Sequence, residues 1–64
     1  MESLQIQLSY TAVKSFVTDL KNNGIVYSEI TKTSFVMNET PKVKMAIQLV
    51  KERFGRESIY VTRD

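Results

Sequence analysis

The chain has 64 residues, 42% of them hydrophobic and 25% charged, and a formal net charge of +2. These proportions are ordinary for a folded protein and argue against intrinsic disorder. The chain contains no cysteine and no histidine, which excludes disulfide bonds, thiolate chemistry and histidine as a proton shuttle or metal ligand. No segment approaches the roughly 18 apolar residues of a membrane span, and no signal peptide is recognisable, so we expect a cytoplasmic protein.

A chain of this length forms one domain, and we expect residues 1–64 to fold together without a linker or a tail. A domain this small buries only about 60% of the surface that its unfolded chain exposes. Its free energy of unfolding is therefore expected to be small unless a partner or a second copy covers more of its surface.

The first half of the chain predicts a strand followed by a helix. Leu4, Ile6 and Leu8 alternate with polar residues, which is typical of a half-buried strand. Ser9 or Thr11 is expected to cap the helix that follows, and Asn22-Asn23-Gly24 is expected to end it. The apolar stripe of this helix has the spacing i, i+3, i+4, i+7 and consists of Val13, Phe16, Val17 and Leu20.

The second half predicts a hairpin, a second helix and a last strand. Two runs rich in β-branched and aromatic residues, 25–30 and 34–37, are expected to pair through a short turn. Thr40-Pro41 resembles an N-cap followed by proline at the first helical position. Gly55 is expected to end this helix, and residues 59–62 to form the fourth strand. The second apolar stripe consists of Val43, Ala46, Ile47, Val50 and Phe54.

The order strand–helix–strand–strand–helix–strand predicts a compact ferredoxin-like α+β fold. Right-handed crossovers place both helices on one face of a four-stranded antiparallel sheet. The helices share a pattern, since Val13-Lys14-x-Phe16-Val17-x-x-Leu20-Lys21 is echoed by Val43-Lys44-x-Ala46-Ile47-x-x-Val50-Lys51, as two related halves would. The short second and fourth strands are expected at the sheet edges, where Thr62-Arg63-Asp64 can blunt one of them.

The predicted sheet has one face that the helices leave uncovered. On the second strand we place Val26 and Ile30 inward, because the opposite choice aims Glu29 at the core, and this turns Tyr27 outward. On the fourth strand, Ile59 and Val61 inward turn Tyr60 outward.

The third strand leaves two orientations open. Burial favours Phe35 and Met37 inside, whereas alignment of the two repeats puts Val36 inside and exposes Phe35. A change of register by one residue exchanges the whole set of side chains between the two faces.

The sequence offers no recognisable active site. Its seven carboxylates form no obvious pair or metal-binding cluster, and the two glycines, Gly24 and Gly55, are better explained as helix stops than as parts of a phosphate-binding loop. We therefore expect a protein that is not an enzyme, with no catalytic residues, no cofactor and no metal.

Protein–protein association is the function that the sequence favours. Met45 and Leu49 lie four residues apart on the second helix, away from its core stripe, and an exposed Met–Leu pair is an adaptable contact surface. We predict a non-enzymatic, self-associating interaction module, a regulator or inhibitor, that binds a macromolecular partner. In size alone it is similar to small regulators from phages and mobile elements. The predicted partner-binding residues are Tyr27, Tyr60, Met45, Leu49 and Arg53.

Nucleic-acid binding is the alternative. The isoelectric point is about 9.1, and bases could stack on Tyr27 and Tyr60 of the uncovered face. Salt-sensitive phosphate contacts would come from the cations of the second helix and its exit, Lys42, Lys44, Lys51, Arg53 and Arg56. At 100° per residue, however, Lys44 and Lys51 lie on one flank of that helix while the other two helical cations lie on the opposite flank, so they form no single stripe.

Overall fold

The computed structural model describes residues 2–63 and has the predicted order of elements. A short 3₁₀ turn, Arg56–Ser58, separates the second helix from the last strand. The elements are β1 (Ser3–Leu8), α1 (Tyr10–Asn22), β2 (Tyr27–Thr31), β3 (Ser34–Asn38), α2 (Pro41–Phe54) and β4 (Ile59–Arg63).

The strands form one antiparallel sheet in the order β2-β3-β1-β4, and α1 and α2 pack side by side on one face of it. This is the ferredoxin-like arrangement that the sequence predicted. The central strand β1 pairs with both β3 and β4, and β2 pairs with β3 alone. The second and fourth strands are therefore the sheet edges, as predicted.

Helix α1 ends in a left-handed glycine, as the Asn-Asn-Gly sequence indicated. Gly24 has a φ of 65°, and its N–H donates to the carbonyl of Lys21 at 3.2 Å, while the Ile25 N–H donates to the carbonyl of Leu20 at 2.9 Å. These two bonds make a Schellman motif, which satisfies the last carbonyls of the helix and turns the chain back towards β2. At the other end Ser9 occupies the N-cap position, although its side chain makes no capping hydrogen bond.

Helix α2 has both of its predicted end signals. The Thr40 side chain accepts a hydrogen bond from the Val43 N–H at 3.2 Å, and Pro41 is the first helical residue. The helix ends at Gly55, whose φ of 96° and ψ of 161° belong to a region that is almost restricted to glycine. A Cβ at this position would lie 3.0 Å from the Glu57 Oε1 atom.

The core lies between the helices and the sheet. Phe35 and Met37 of β3 are buried beneath the helices, so burial decided the orientation of that strand, and the alternative that placed Val36 inside is wrong. Phe54, predicted at the end of the second stripe, is instead exposed where α2 leaves the sheet. The buried apolar residues are Leu4, Ile6, Leu8, Ala12, Phe16, Leu20, Phe35, Met37, Val43, Ala46, Val50 and Ile59.

The predicted orientation of β2 is wrong. Tyr27 lies opposite Met37 and therefore on the helix-covered face, where it is half-buried and its ring meets that of Phe35 edge-on at 5.7 Å between centroids. Val26 and Ile30 are 88% and 53% exposed. The prediction assumed that an inward Glu29 would be buried, but β2 is an edge strand, and a side chain on its helix-covered side still reaches solvent.

A bulge near the end of β2 contributes to this outcome. Glu29 pairs with Phe35 and Thr31 pairs with Ser34, so Ile30 is an extra residue with no partner of its own on β3. A bulge breaks the strict alternation of side chains along a strand. Alternation counted from the sequence therefore does not hold through Ile30.

Candidate interaction surfaces

The predicted partner-binding residues do not form one surface. Tyr60 is 72% exposed on the open face of the sheet, as predicted, whereas Tyr27 lies on the opposite, helix-covered face. Met45 is 69% exposed on the solvent side of α2, and Leu49 one turn later is half-buried. The structure thus separates the two tyrosines and places the Met–Leu pair on a third surface.

Arg53, predicted at the rim of that pair, bridges the two helices. Its Nη1 atom lies 3.1 Å from Ser15 Oγ and 3.5 Å from Asp19 Oδ2, both on α1. The side chain remains half-exposed, so the contact adds little stability. It marks the flank of each helix that faces the other.

The open face of the sheet is polar. Gln7 lies at its centre, where its Nε2 donates to Thr33 Oγ1 at 2.8 Å and its Oε1 accepts a hydrogen bond from Ser34 Oγ. Gln5 has Val36 and Thr62 as its cross-strand neighbours. Tyr60 is therefore surrounded by amides and hydroxyls, and without Tyr27 beside it this face has no continuous apolar area among the described residues.

A different set of apolar side chains lies together at the outer side of β2. None of the five residues of β2 is buried, and the exposed Val26 and Ile30 flank the half-buried Tyr27. Val13 and Val17 of α1 are half-buried as well. We refer to Val13, Val17, Val26, Tyr27 and Ile30 as the β2 border.

The position of α1 brings Val13 and Val17 to this border. Ser15 and Asp19 mark the flank of α1 that faces α2, because they contact Arg53. Val17 lies about 160° around the helix from Asp19, so it points away from α2. Since α2 packs against β4, the far flank of α1 lies over the β2 side of the sheet.

The end of β4, by contrast, is joined by ion pairs to the residues that precede β1 and follow β3. Arg63 lies 2.7 Å from Glu39 Oε2 through Nη2 and 3.5 Å from Glu2 Oε2 through Nε, and Lys44 lies 4.0 Å from Glu39. The hydrogen bond from Arg63 lowers the pKa of Glu39 below its ordinary value of 4.5, with a smaller lowering from the charge of Lys44. We refer to Val61, Arg63, Glu39, Lys44 and Lys51 as the β4 border. Asp64, expected to help blunt an edge, lies outside the described residues.

The predicted cations are divided between two sides of α2. Lys44, close to Glu39, and Lys51 follow the flank towards β4, whereas Arg53 faces α1. Lys51 and Arg56 line one shallow groove, but Glu52 lines it too. The structure therefore agrees with the sequence in showing no single cationic stripe.

A cleft of about 520 Å³ lies at the end of the molecule where α1 stops and α2 begins. No feature of the sequence predicted it. Its walls are residues 23–26, Asn38 and residues 40–42, so it adjoins the β2 border through Val26.

Other classes of site are not represented in the part of the chain that the structure describes. Among residues 2–63, no three carboxylates gather in a group that would suit a metal ion. Neither described helix has the length and apolar character needed to span a membrane.

The chain was compared with protein-family models, curated proteins and solved structures. No family model, no curated protein and no solved structure matches it.

Proposed function

We propose that this protein is a non-enzymatic interaction module that binds a protein partner along the β2 border. The observation that carries the proposal is that an edge strand with no buried residue lies beside five apolar side chains that the fold leaves wholly or partly in solvent. An uncovered edge presents unpaired backbone N–H and C=O groups, to which an extended segment of another chain can add as a further strand.

Val26 and Ile30 are expected to contribute most of the free energy of binding. Burying a fully exposed side chain of this size stabilises a complex by about 1.5–3 kcal/mol, and both are largely solvent-exposed in the isolated chain. A partner would also cover the exposed parts of Tyr27, Val13 and Val17, which are already half-buried in the isolated chain. Backbone hydrogen bonds along β2 supply affinity, and the side chains on either face of the strand supply specificity.

Such a module would act by covering part of the surface of a larger protein. A domain of 64 residues is the size of small regulators and inhibitors that work in this way. The Met45–Leu49 pair on α2 remains free in such a complex, because it lies on the solvent side of the helices and away from β2.

Nucleic-acid binding has less support. A stacking platform on the open face needs more than one exposed aromatic ring, and of the two predicted tyrosines only Tyr60 lies there. Glu39 neutralises part of the charge near Lys44, and Glu52 does so near Lys51. A protein partner therefore suits the distribution of charge better.

The test is recovery of bound protein by a tagged form of the chain from the cells that express it. We expect the native chain to retain a partner and the double variant Val26→Lys with Ile30→Lys to lose it, because two ammonium groups cannot enter an apolar contact unpaired. Met45→Lys is the matched control, since it places the same charge at a similarly exposed apolar position on α2.

Three results would overturn the proposal. Recovery of no protein, the untagged copy of this chain included, would argue against an interaction module, and loss of the partner with Met45→Lys alone would move the contact to α2. Recovery of nucleic acid in place of protein, sensitive to salt, would favour the alternative function. Circular dichroism of each variant would show that the fold is intact.

A further inference from the structure

We infer that the partner at the β2 border is a second copy of this chain, joined by antiparallel pairing of β2 with β2 about a two-fold axis at Ser28. The inference rests on the proposed function and names the occupant of the same surface. The result is a symmetric dimer with one continuous eight-stranded sheet, four strands from each copy. The α1 helices of the two copies then lie next to each other across the axis.

The register follows from the side chains on the outer strand. With Ser28 facing Ser28 of the partner subunit, Val26 comes level with the partner's Ile30 along the paired strands, and Ile30 comes level with the partner's Val26. These are the two exposed apolar residues of the border. Ile30 is the extra residue of the bulge and does not follow the regular alternation of side chains, so the register is set by the level of the two residues along the strands. This register therefore brings both residues of each copy into the interface.

The neighbouring registers are less favourable. Centring the pairing on Glu29 sets the two Glu29 carboxylates directly opposite each other, which is destabilising. Centring it on Tyr27 sets Val26 opposite a serine and leaves Ile30 outside the paired segment. Registers centred between two residues are excluded, because they would pair side chains from opposite faces of the sheet. A two-fold axis perpendicular to the sheet keeps each side chain on its own face.

The helix-covered side of the dimer is complementary in charge. In this register Glu29 lies opposite the partner's Tyr27 and so comes to the flank of the partner's α1 helix that has Val13 and Val17. Lys14 and Lys21 lie on the solvent side of α1, within about 60° of Val17. Among residues 2–63, Glu29, Lys14 and Lys21 enter no ion pair within one chain, so each copy has a carboxylate and cations available to the other.

A stable complex commonly buries about 800 Å² on each partner, compared with 4417 Å² of accessible surface for the whole chain. One edge strand is too narrow to supply that area alone. Val13 and Val17, which flank the strand and are half-exposed, extend the apolar contact from the sheet to the helices.

The absence of native cysteine makes a direct test possible. In a Ser28→Cys variant the two introduced thiols lie on residues directly opposite across the axis, with Cα atoms about 4.5–5.5 Å apart, which suits a disulfide. We expect mild oxidation to link this variant into a covalent dimer at least about 10-fold faster than Thr62→Cys, because pairing raises the effective concentration of the thiols. Thr62 is the matched control, exposed on the same open face but on the opposite edge strand β4.

A second experiment fixes the register. Mixing Val26→Cys with Ile30→Cys should give the mixed covalent dimer in excess over either variant linked to itself. Equal cross-linking rates at positions 28 and 62 would overturn the inference, and so would a native chain that sediments as a monomer at every concentration. Recovery of a different protein at the β2 border by a monomeric chain would overturn only the identity of the occupant and leave the proposed function standing.

Discussion

The two edges of the sheet occupy equivalent positions in the fold and are finished in different ways. Each edge strand follows a helix that ends at a glycine, and each has half-buried apolar residues between the strand and its helix. At β4 the end of the strand is held by Arg63, which reaches Glu39 and Glu2. At β2 the corresponding side chains are the valines of α1, with Val26 and Ile30 fully or largely in solvent.

The two edges differ in their charged side chains. Charged side chains are a common device that keeps an edge strand from recruiting further strands, and the β4 border has several of them. The β2 edge has Glu29, which opposes the register centred on itself, and a bulge at Ile30. In the proposed dimer both β2 edges are used, and the charges near β4 oppose the addition of further strands at the other edge, so the assembly would stop at a closed pair.

The largest effect is expected from placing charge on each edge in turn. The double variant Val26→Lys with Ile30→Lys should raise the dissociation constant of the dimer by about 100-fold or more, since it removes both Val26–Ile30 pairs of the interface, one on each side of the axis. The equivalent pair on β4, Tyr60→Lys with Thr62→Lys, should change it by less than about threefold. Analytical ultracentrifugation over a dilution series measures both values, and equal effects at the two edges would show that the asymmetry has no functional meaning.

The two tyrosines are expected to differ in what they stabilise. Tyr27→Ala removes a half-buried ring that packs edge-on against Phe35, so it should lower the free energy of unfolding by about 2 kcal/mol. Tyr60→Ala should change it by less than about 0.5 kcal/mol, because that ring is exposed. Urea unfolding followed by circular dichroism gives both numbers, and similar losses would mean that the faces of the edge strands have been misassigned.

The two glycines that precede the edges should also respond unequally. Gly55→Ala is expected to cost about 2–3 kcal/mol, because the backbone there lies in a region almost closed to other residues and the new methyl group would meet Glu57. Gly24→Ala should cost about 1 kcal/mol, since its left-handed conformation is only mildly unfavourable and the space around it is open. The measurement is the urea midpoint of each variant, and a larger loss at Gly24 would contradict this ranking.

The smallest effect concerns the charges that hold β4. Arg63 keeps the pKa of Glu39 below its ordinary value, so their interaction stabilises the fold at neutral pH. This contribution begins to be lost as the pH falls below 4.5 and disappears once the pH is below the lowered pKa. Arg63→Gln should therefore be slightly less stable than the native chain at pH 7 and equal to it in strong acid. A difference that persists unchanged in acid would show that the carboxylates are not its cause.

The fold could be predicted from local signals that do not depend on tertiary context. Alternation along β1, the stripes of the helices, the Asn-Asn-Gly stop and the Thr-Pro start each report the local backbone. Burial then decided which face of β3 points to the core, since Phe35 and Met37 offer more apolar surface than Val36 on the other face. The open-face position of Tyr60 followed from the same reasoning on β4.

The candidate site could not be predicted in the same way. The cost of burying Glu29 was applied to β2 as if it were a central strand, although its place at the edge removes most of that cost. The bulge at Ile30 also leaves no signal in the pattern of apolar residues. A prediction that combined the edge position of β2 with the large apolar side chains of β3 would have placed Tyr27 towards Phe35 and left Val26 and Ile30 in solvent.

Sedimentation velocity of the native chain, over a range of protein concentrations at low and moderate salt, tests the central claim most directly. A concentration-dependent dimer that persists at moderate salt, does not grow into larger species and is lost with Val26→Lys and Ile30→Lys is the predicted result. A monomer at all concentrations, or a dimer unaffected by those two substitutions, would contradict the assignment of the β2 border as the surface through which this protein associates.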